Sequence, residues 1–388
     1  MPQGISRRGL IQTLAGAAAT LRSRSSVAQD EGGAAQPSGM RRVHRIDNSF
    51  ALAVSPDASR ICVDYTSNQL LRILPGSAQN RFKRERLRVF DTASWKEIAS
   101  APIPAWAGAA SFFADSGRVY FETLLIEPAN RQFNRGVIDL ADDRVQQSVA
   151  TWDGEGPNTI YHALSGEELL GVVFRSSTLV ALQRASWPNL REIDRVPISW
   201  PPGEKRPGGS PTTSADRSTA LYVLGHLICM RRTADLSLVW TRRIDPGFYG
   251  AGPLSITPNG SLAAISVLGY EVKAQKSRDY IGIYNGGDGS IVREVPVSGR
   301  FGLAISPDGS LIAVGRRSSD GPYLELVIDV CETQTAARVA SGVHDRIPPG
   351  RYQHLLGNGF NLSCFQFTPD GQYLVTSSSS NVAIWKIG

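Results

Sequence analysis

The side chains that carry most enzyme and metal chemistry are scarce in this chain. Among 388 residues there are five histidines, four cysteines and three methionines. The histidines, His44, His162, His226, His344 and His354, are scattered. Only His344 and His354 share a segment, and their spacing with no carboxylate pattern does not suit a zinc site. A haem-attachment motif, the zinc-protease His pair and Gly-x-Ser-x-Gly are all missing. Gly286-Gly287-Asp288-Gly289 looks like a phosphate loop, but no helix pattern follows it to supply a dipole, so it reads as a turn. No catalytic residue, metal ligand or cofactor is assigned on these grounds.

Long apolar runs are also lacking. No stretch reaches the roughly 20 residues that a membrane-spanning helix needs, and no helix-period pattern of useful length follows the first 28 residues. Charged residues make up 20% and hydrophobic ones 41%, the balance of a globular protein rather than a disordered one. The net charge is +6, yet Arg7, Arg8, Arg22 and Arg24 lie in an N-terminal segment with no acid, so four of the six charges belong there. Overall charge therefore gives no case for nucleic acid, and no nucleic-acid motif is present.

That N-terminal segment has its own grammar. Ser6-Arg7-Arg8-Gly9-Leu10 is followed by a short Ala- and Gly-rich apolar stretch, then Ser26-Val27-Ala28 with small residues where a signal peptidase reads. A basic amphipathic helix is the plainer alternative. The adjacent arginines resemble the twin-arginine export family, in which Arg7 and Arg8 would be what the translocase recognises. The resemblance implies a bacterial export signal over 1–28 and a periplasmic or secreted product. Residues 29–39 read as a flexible linker, and 40–388 as one domain.

Glycine and proline are plentiful, 38 and 23, and they fall into a repeated turn. Ser306-Pro307-Asp308-Gly309, Thr368-Pro369-Asp370-Gly371 and Thr257-Pro258-Asn259-Gly260 are its clearest copies, each between apolar, β-branched runs. Proline presets φ, Asp or Asn bonds back to the backbone, and Gly accepts φ > 0. Aligning the third position gives Asp57, Ser116, Gly166, Asp216, Asn259, Asp308 and Asp370. The mean spacing of about 52 residues, with four short strand candidates per unit, is the pattern of propeller blades. Outer strands such as 291–297 and 191–197 alternate with period two, while the first strands are more continuously apolar.

The expected fold is all-β: a seven-bladed β-propeller with four-stranded antiparallel blades. The last unit lacks a fourth strand, and Arg42-Val43-His44-Arg45-Ile46 precedes the first unit as an orphan, so the N-terminal strand is expected to pair with the C-terminal blade and close the ring. The turns resemble the WD-repeat and YVTN-type propeller families over roughly 41–388. Two departures stand out. Ile384-Trp385-Lys386 is the nearest approach to a Trp-Asp ending, and no adjacent Gly-His pair opens a repeat. The buried His–Asp network of eukaryotic WD repeats is accordingly not expected.

All long connections map to one rim: 67–86, 125–135, 200–211, 269–279, 316–322 and 343–361. This rim is basic, with Arg81, Lys83, Arg84, Arg131, Arg135, Lys205, Arg206, Lys273, Lys276, Arg278, Arg316, Arg317, Arg346 and Arg351. Two readings stay open, recognition of an anionic partner and simple solvation of loops. His162, Arg300, Phe248, Tyr249, His354 and Phe360 are expected near the channel mouth. The ligand-binding candidates are Tyr249, Arg300, Arg351, Tyr352, His354 and Arg206. The function expected is that of an exported, monomeric, non-catalytic scaffold binding a protein or anionic ligand. The alternative is an enzyme resembling propeller lactonases or the propeller subunit of quinoprotein amine dehydrogenases. Cys62, Cys229, Cys331 and Cys364 read as small buried hydrophobes; Cys62 and Cys364 fall on blades that closure would make neighbours, where a disulfide needs Cα atoms within about 7 Å.

Overall fold

In the computed structural model, the residues described are 39–47, 49–65, 86–103, 106–126, 131–142, 144–152, 161–174, 179–199, 211–224, 226–245, 248–271, 276–277, 279–297, 302–318, 323–347, 364–378 and 381–388. Their strands form seven antiparallel sheets. Blade one is Ser49–Val54, Arg60–Tyr65, Arg86–Asp91 and Glu97–Pro102, and five further blades repeat this order. Blade five adds the short strand Lys276–Ser277 beside Tyr270 and Glu271. This is a seven-bladed β-propeller. No helix among the described residues is long and apolar enough to cross a membrane.

The repeated turn owes its shape to a hydroxyl and a carboxyl. In blade six Ser306 Oγ donates to Asp308 Oδ1 at 2.5 Å and accepts the Leu311 amide at 2.8 Å, while Asp308 Oδ1 accepts the Ser310 amide at 3.0 Å. The Ser306 bond, then those from Ser310, hold the Asp308 carboxyl below its usual range. Blades one, four, five and seven repeat it with Ser55 and Asp57, Ser214 and Asp216, Thr257 and Asn259, and Thr368 and Asp370. Blades two and three do not, because Phe113 and Leu164 stand where the hydroxyl should be. That corrects the aligned register: Asp115, not Ser116, matches Asp57, since it accepts the Gly117 amide at 2.8 Å. Ser116 instead takes the left-handed position, with φ of 55°, while the blade-three turn closes Leu164 onto Glu168 one residue sooner than the others, with Gly166 left-handed at 60°.

The core is divided among the seven blade interfaces, with one apolar cluster at each. The period-two geometry of a strand sends successive side chains to opposite neighbours. In the second strand of blade six, Leu311–Ser318, Ile312 and Val314 pack with Ala264, Ile281 and Ile283 of blade five. Ala313 between them packs with Leu374, Ala383 and Trp385 of blade seven. Inner strands read as continuous apolar runs because both faces are covered.

Outer strands follow another rule. Residues 291–297 were expected to alternate, yet Ile291 and Val292 are both exposed and Val295 is buried. The cause is a β-bulge: pairing passes from Ile283 opposite Arg293 to Tyr284 opposite Ile291, and Val292 is left out of the ladder. The same break leaves out Ile98, Ile193, Val239, Val339 and Val43. Six of the seven outermost strands therefore carry a bulged β-branched residue. Bulges twist an open edge away from further pairing.

Closure occurs as the orphan strands require. Met40–Asp47 pairs antiparallel with Asn381–Ile387, from Met40 opposite Ile387 to Asp47 opposite Asn381. A buried histidine network, not expected from the sequence, fastens this seam. His344 Nδ1 lies 2.9 Å from Thr376 Oγ1, which also accepts the Trp385 indole N–H at 2.8 Å. Asp345 accepts from Ser378 Oγ and Asn381 Nδ2, at 2.8 and 2.6 Å. Arg42 of the N-terminal strand donates to the His344 carbonyl and lies over the Trp385 ring. A Cβ at Gly342 would come within 3.0 Å of that ring. The clasp thus joins blade six, blade seven and the N-terminal strand.

Candidate functional site

The rim that carries the long connections is where the sequence placed its ligand candidates. Arg206, Arg300, Arg351, Tyr352 and His354 lie outside the described residues, as do Arg81, Lys83, Arg84, Lys205, Lys273, Arg278 and Phe360. Tyr249, Arg131 and Lys276 lie on described strands, but their side chains do not belong to the described set. Phe248 packs edge-on against Tyr280 at 5.7 Å.

Three described cations of this rim are already matched. Arg316 Nε donates to Asp329 Oδ2 at 2.6 Å and Arg346 Nε to Glu325 Oε1 at 2.7 Å. Arg135 is buried and donates to Glu122 Oε1 at 2.9 Å, with the Tyr120 hydroxyl on the same oxygen at 2.6 Å. Burial pushes the Glu122 carboxyl up, and the Arg135 charge pulls it back. Arg135 therefore belongs to the core and not to a solvated basic face. A paired buried ion of this kind is costly to break and contributes little while intact.

The channel itself is built from the first strands of all blades. Their inner-edge amides need partners, and side chains of adjoining blades supply several. Ser111 Oγ accepts the Ala163 amide at 2.7 Å, Ser255 Oγ that of Ile305 at 3.0 Å, Ser377 Oγ that of Ala51 at 3.0 Å and Gln366 Oε1 that of Val54 at 3.2 Å. These bonds stitch blade to blade around the axis. At the rim of tight turns Ser111, Ser255 and Gln366 border a cavity of about 220 Å³, with Pro56, Pro258, Pro307 and Pro369 at its edge.

Two basic side chains reach this cavity, His162 from blade three and Arg217 from blade four. Burial, helped by the Arg217 charge, lowers the His162 pKa to about 4, so the ring is neutral near pH 7. Burial also lowers the Arg217 pKa, to about 10. His162 was expected at the channel. Arg217 carries little signal in the sequence: its turn position is Gly260, Gly309 and Gly371 in blades five to seven but Ala58 and Ser116 in blades one and two. No carboxylate is among the described residues lining the cavity, and no metal-binding group of three His, Cys, Asp or Glu occurs among the described residues. All four cysteines are free thiols; Cys62 and Cys229 are buried, and burial raises the Cys364 thiol to about 12.

With that geometry established, known proteins can be compared. No family model matches the chain, and no curated protein matches it in sequence. Solved structures do match. The likeness is one of fold. The β-propeller domain of Cps50 (Swd1) from Myceliophteria thermophila covers 90% of this chain and 100% of its own, with a TM-score of 0.56 at 8% identity. KlHsv2 with loop 6CD replaced by a Gly-Ser linker covers 88% and 97%, with a TM-score of 0.50 at 12% identity. Both comparisons support the propeller architecture.

Proposed function

We propose that this protein is an exported, non-catalytic scaffold that binds a protein or anionic ligand across the rim of long connections. The observation that carries the reading is the asymmetry of the ring. Segments 66–85, 153–160, 200–210 and 348–363 all join strand ends on one rim. The opposite rim is closed by short turns whose hydroxyl, carboxyl and amide groups bond to one another. A rigid scaffold with variable connections on one side is a common way to display recognition residues.

The enzyme alternative calls for a carboxylate within reach of His or Arg at a channel mouth. The described cavity instead sets Arg217 beside Thr213 and a backbone carbonyl, which suits binding better than proton transfer. Export through Arg7 and Arg8 is part of the same proposal. The test is affinity capture from the periplasm of the native host with the mature chain as bait, comparing wild type with Arg206→Glu/Arg351→Glu. A partner retained by wild type and lost from the variant, with retention falling as salt rises, supports the proposal. Equal retention by both chains, independent of salt, refutes it.

A further inference from the structure

The outermost strand of each blade ends its sheet among the described strands, and such an edge presents a row of unpaired backbone N–H and C=O groups. Six of these strands are guarded against further pairing. Glu97–Pro102, Arg191–Ser199, Leu238–Arg243, Ile291–Pro296, Arg338–Ile347 and Met40–Asp47 each carry a bulge. Each also holds a proline or a charge beyond its first residue, such as Pro102, Asp194, Arg242, Glu294, Asp345 and Arg45. Bulges, charges and prolines are the devices by which sheet edges avoid one another. Blade two has none of them. Its outermost strand, Arg144–Trp152, pairs with Arg131–Asp139 over nine consecutive positions without a break. After Arg144 the sequence is Val145-Gln146-Gln147-Ser148-Val149-Ala150-Thr151-Trp152, with no charge, no proline and no glycine.

The flanks of this strand are held, and its edge is open. Gln146 Oε1 accepts the Trp187 indole N–H of blade three at 3.2 Å, and Gln147 Nε2 donates to the Pro102 carbonyl of blade one at 3.4 Å. Successive side chains of a strand point to opposite faces, so the neighbouring blades take one each and leave the backbone edge facing away from the axis. Among the described residues no backbone bond joins 144–152 to anything outside its own sheet. A long, straight, uncharged edge of this kind is a template for another strand.

We propose that Arg144–Trp152 is a pairing edge for a second copy of this chain, joined antiparallel about a two-fold axis at Ser148. With full overlap, Arg144 would meet Trp152 of the second copy, Val145 would meet Thr151, Gln146 Ala150, Gln147 Val149, and Ser148 its own counterpart. The strand is its own complement. No like charges oppose each other, and the one cation faces an aromatic residue. The same pairing of Arg191–Ser199 would set Arg195 against Arg195. Both partners are strands of finished sheets, so joining them avoids the ordering cost that a disordered segment incurs. That favours a second copy over an extended peptide. One open edge per chain gives a closed dimer and no fibre, with two four-stranded blades running into one sheet. The edge lies on the circumference of the ring, so this proposal stands apart from the rim of long connections.

Sedimentation equilibrium of the mature protein over about 1–100 μM tests this. Wild type should show a reversible monomer–dimer equilibrium. Gln147 is exposed, and Gln147→Lys would set two lysines diagonally across the axis, with Cβ atoms about 7–8 Å apart. The dissociation constant should rise at least about threefold, and about 1 M salt should restore it. Ile193→Lys adds the same charge to the bulged edge of blade three and should leave dimerisation unchanged. Ser148→Cys should form a reducible covalent dimer under mild oxidation, beyond any seen in wild type, because opposed Cα atoms of an antiparallel pair lie about 4.5–5.5 Å apart. A wild-type chain that stays monomeric throughout overturns the proposal, even if its edge then binds an extended segment of another protein. Dimerisation that Gln147→Lys leaves unchanged, or that both lysine variants weaken equally, places the interface elsewhere and also overturns it. Absence of the Ser148→Cys cross-link in a dimeric protein overturns the two-fold pairing. None of these outcomes touches the capture experiment on the rim of long connections.

Discussion

Replacing Thr376 with Val tests whether the seam is fastened by hydrogen bonds or by burial alone. The two side chains have nearly the same shape, so the change removes an oxygen and little else. That oxygen is buried, accepts the Trp385 indole N–H at 2.8 Å and meets His344 Nδ1 at 2.9 Å. Each buried polar group left unpaired costs about 1–3 kcal/mol, so two such groups give roughly 2–6. The added methyl returns about 0.8 kcal/mol. The expected loss is about 1–5 kcal/mol, a large share of a typical stability of about 5–15.

Urea unfolding followed by tryptophan fluorescence measures it, as a lower midpoint at an unchanged slope. Thr376→Ser keeps the oxygen and should lose only about 1 kcal/mol for its missing methyl. Adding His344→Leu to Thr376→Val removes one stranded group, so the double variant should be more stable than the sum of single losses by about 1 kcal/mol or more. Thr376→Val within about 0.5 kcal/mol of wild type, the range of neutral surface changes, would refute the reasoning. Equal losses in the Val and Ser variants would refute it too, since they would assign the effect to packing.

Deleting Arg41–Asp47 should lower stability by several kcal/mol, because six of the seven paired positions with Asn381–Ile387 disappear at about 1 kcal/mol per ladder bond; unchanged thermal melting would remove the closure. Acidification should weaken the fold through His162 and His344, whose pKa values fall from 6.5 in the unfolded chain to about 4 in the fold. The unfolded chain binds the proton first, so stability is full above pH 6.5 and declines as pH falls towards 4, by about 3 kcal/mol for each histidine. Urea midpoints at pH 7 and pH 4.5 check this, and His344→Leu should flatten the slope; equal midpoints would contradict both burials. Changing Arg7 and Arg8 to Lys should stop export in the native host, and continued appearance of the mature protein outside the cytoplasm would exclude the twin-arginine route.

How much of this was readable in advance depends on how local the physics is. The turn of Ser306 to Leu311 closes on its own side chains, so six residues sufficed to recognise it and its copies. Where Phe113 replaces the hydroxyl, the pattern lost its anchor and the register slipped by one residue; at Leu164 the turn itself is one residue shorter. Closure was legible because unpaired strands at two ends must find each other. The bulges were not, since alternation in Ile291–Pro296 gives no sign that Val292 leaves the ladder. The His344 clasp was missed for a simpler reason: Gly342 and His344 are separated by Val343, so a search for an adjacent pair passes over them. Arg217 needed both the repeat alignment and the fold, because its partners are Phe112 in another blade and Thr213 in its own.

The two departures from the repeat both act between blades. At His344 the contacts of the clasp join parts that must stay together: Thr376 takes the indole, Asp345 takes Ser378 and Asn381, and Arg42 covers the ring. Such a network explains itself through the seam that it closes. At Arg217 a left-handed arginine stands where blades five to seven have Gly260, Gly309 and Gly371 and blades one and two have Ala58 and Ser116. Its guanidinium bonds the Phe112 carbonyl of blade two and Thr213 of its own blade, a tie that glycine could not make. Backbone strain of about 1–2 kcal/mol is offset there by two hydrogen bonds from a charged donor, each of about 1.5–3 kcal/mol.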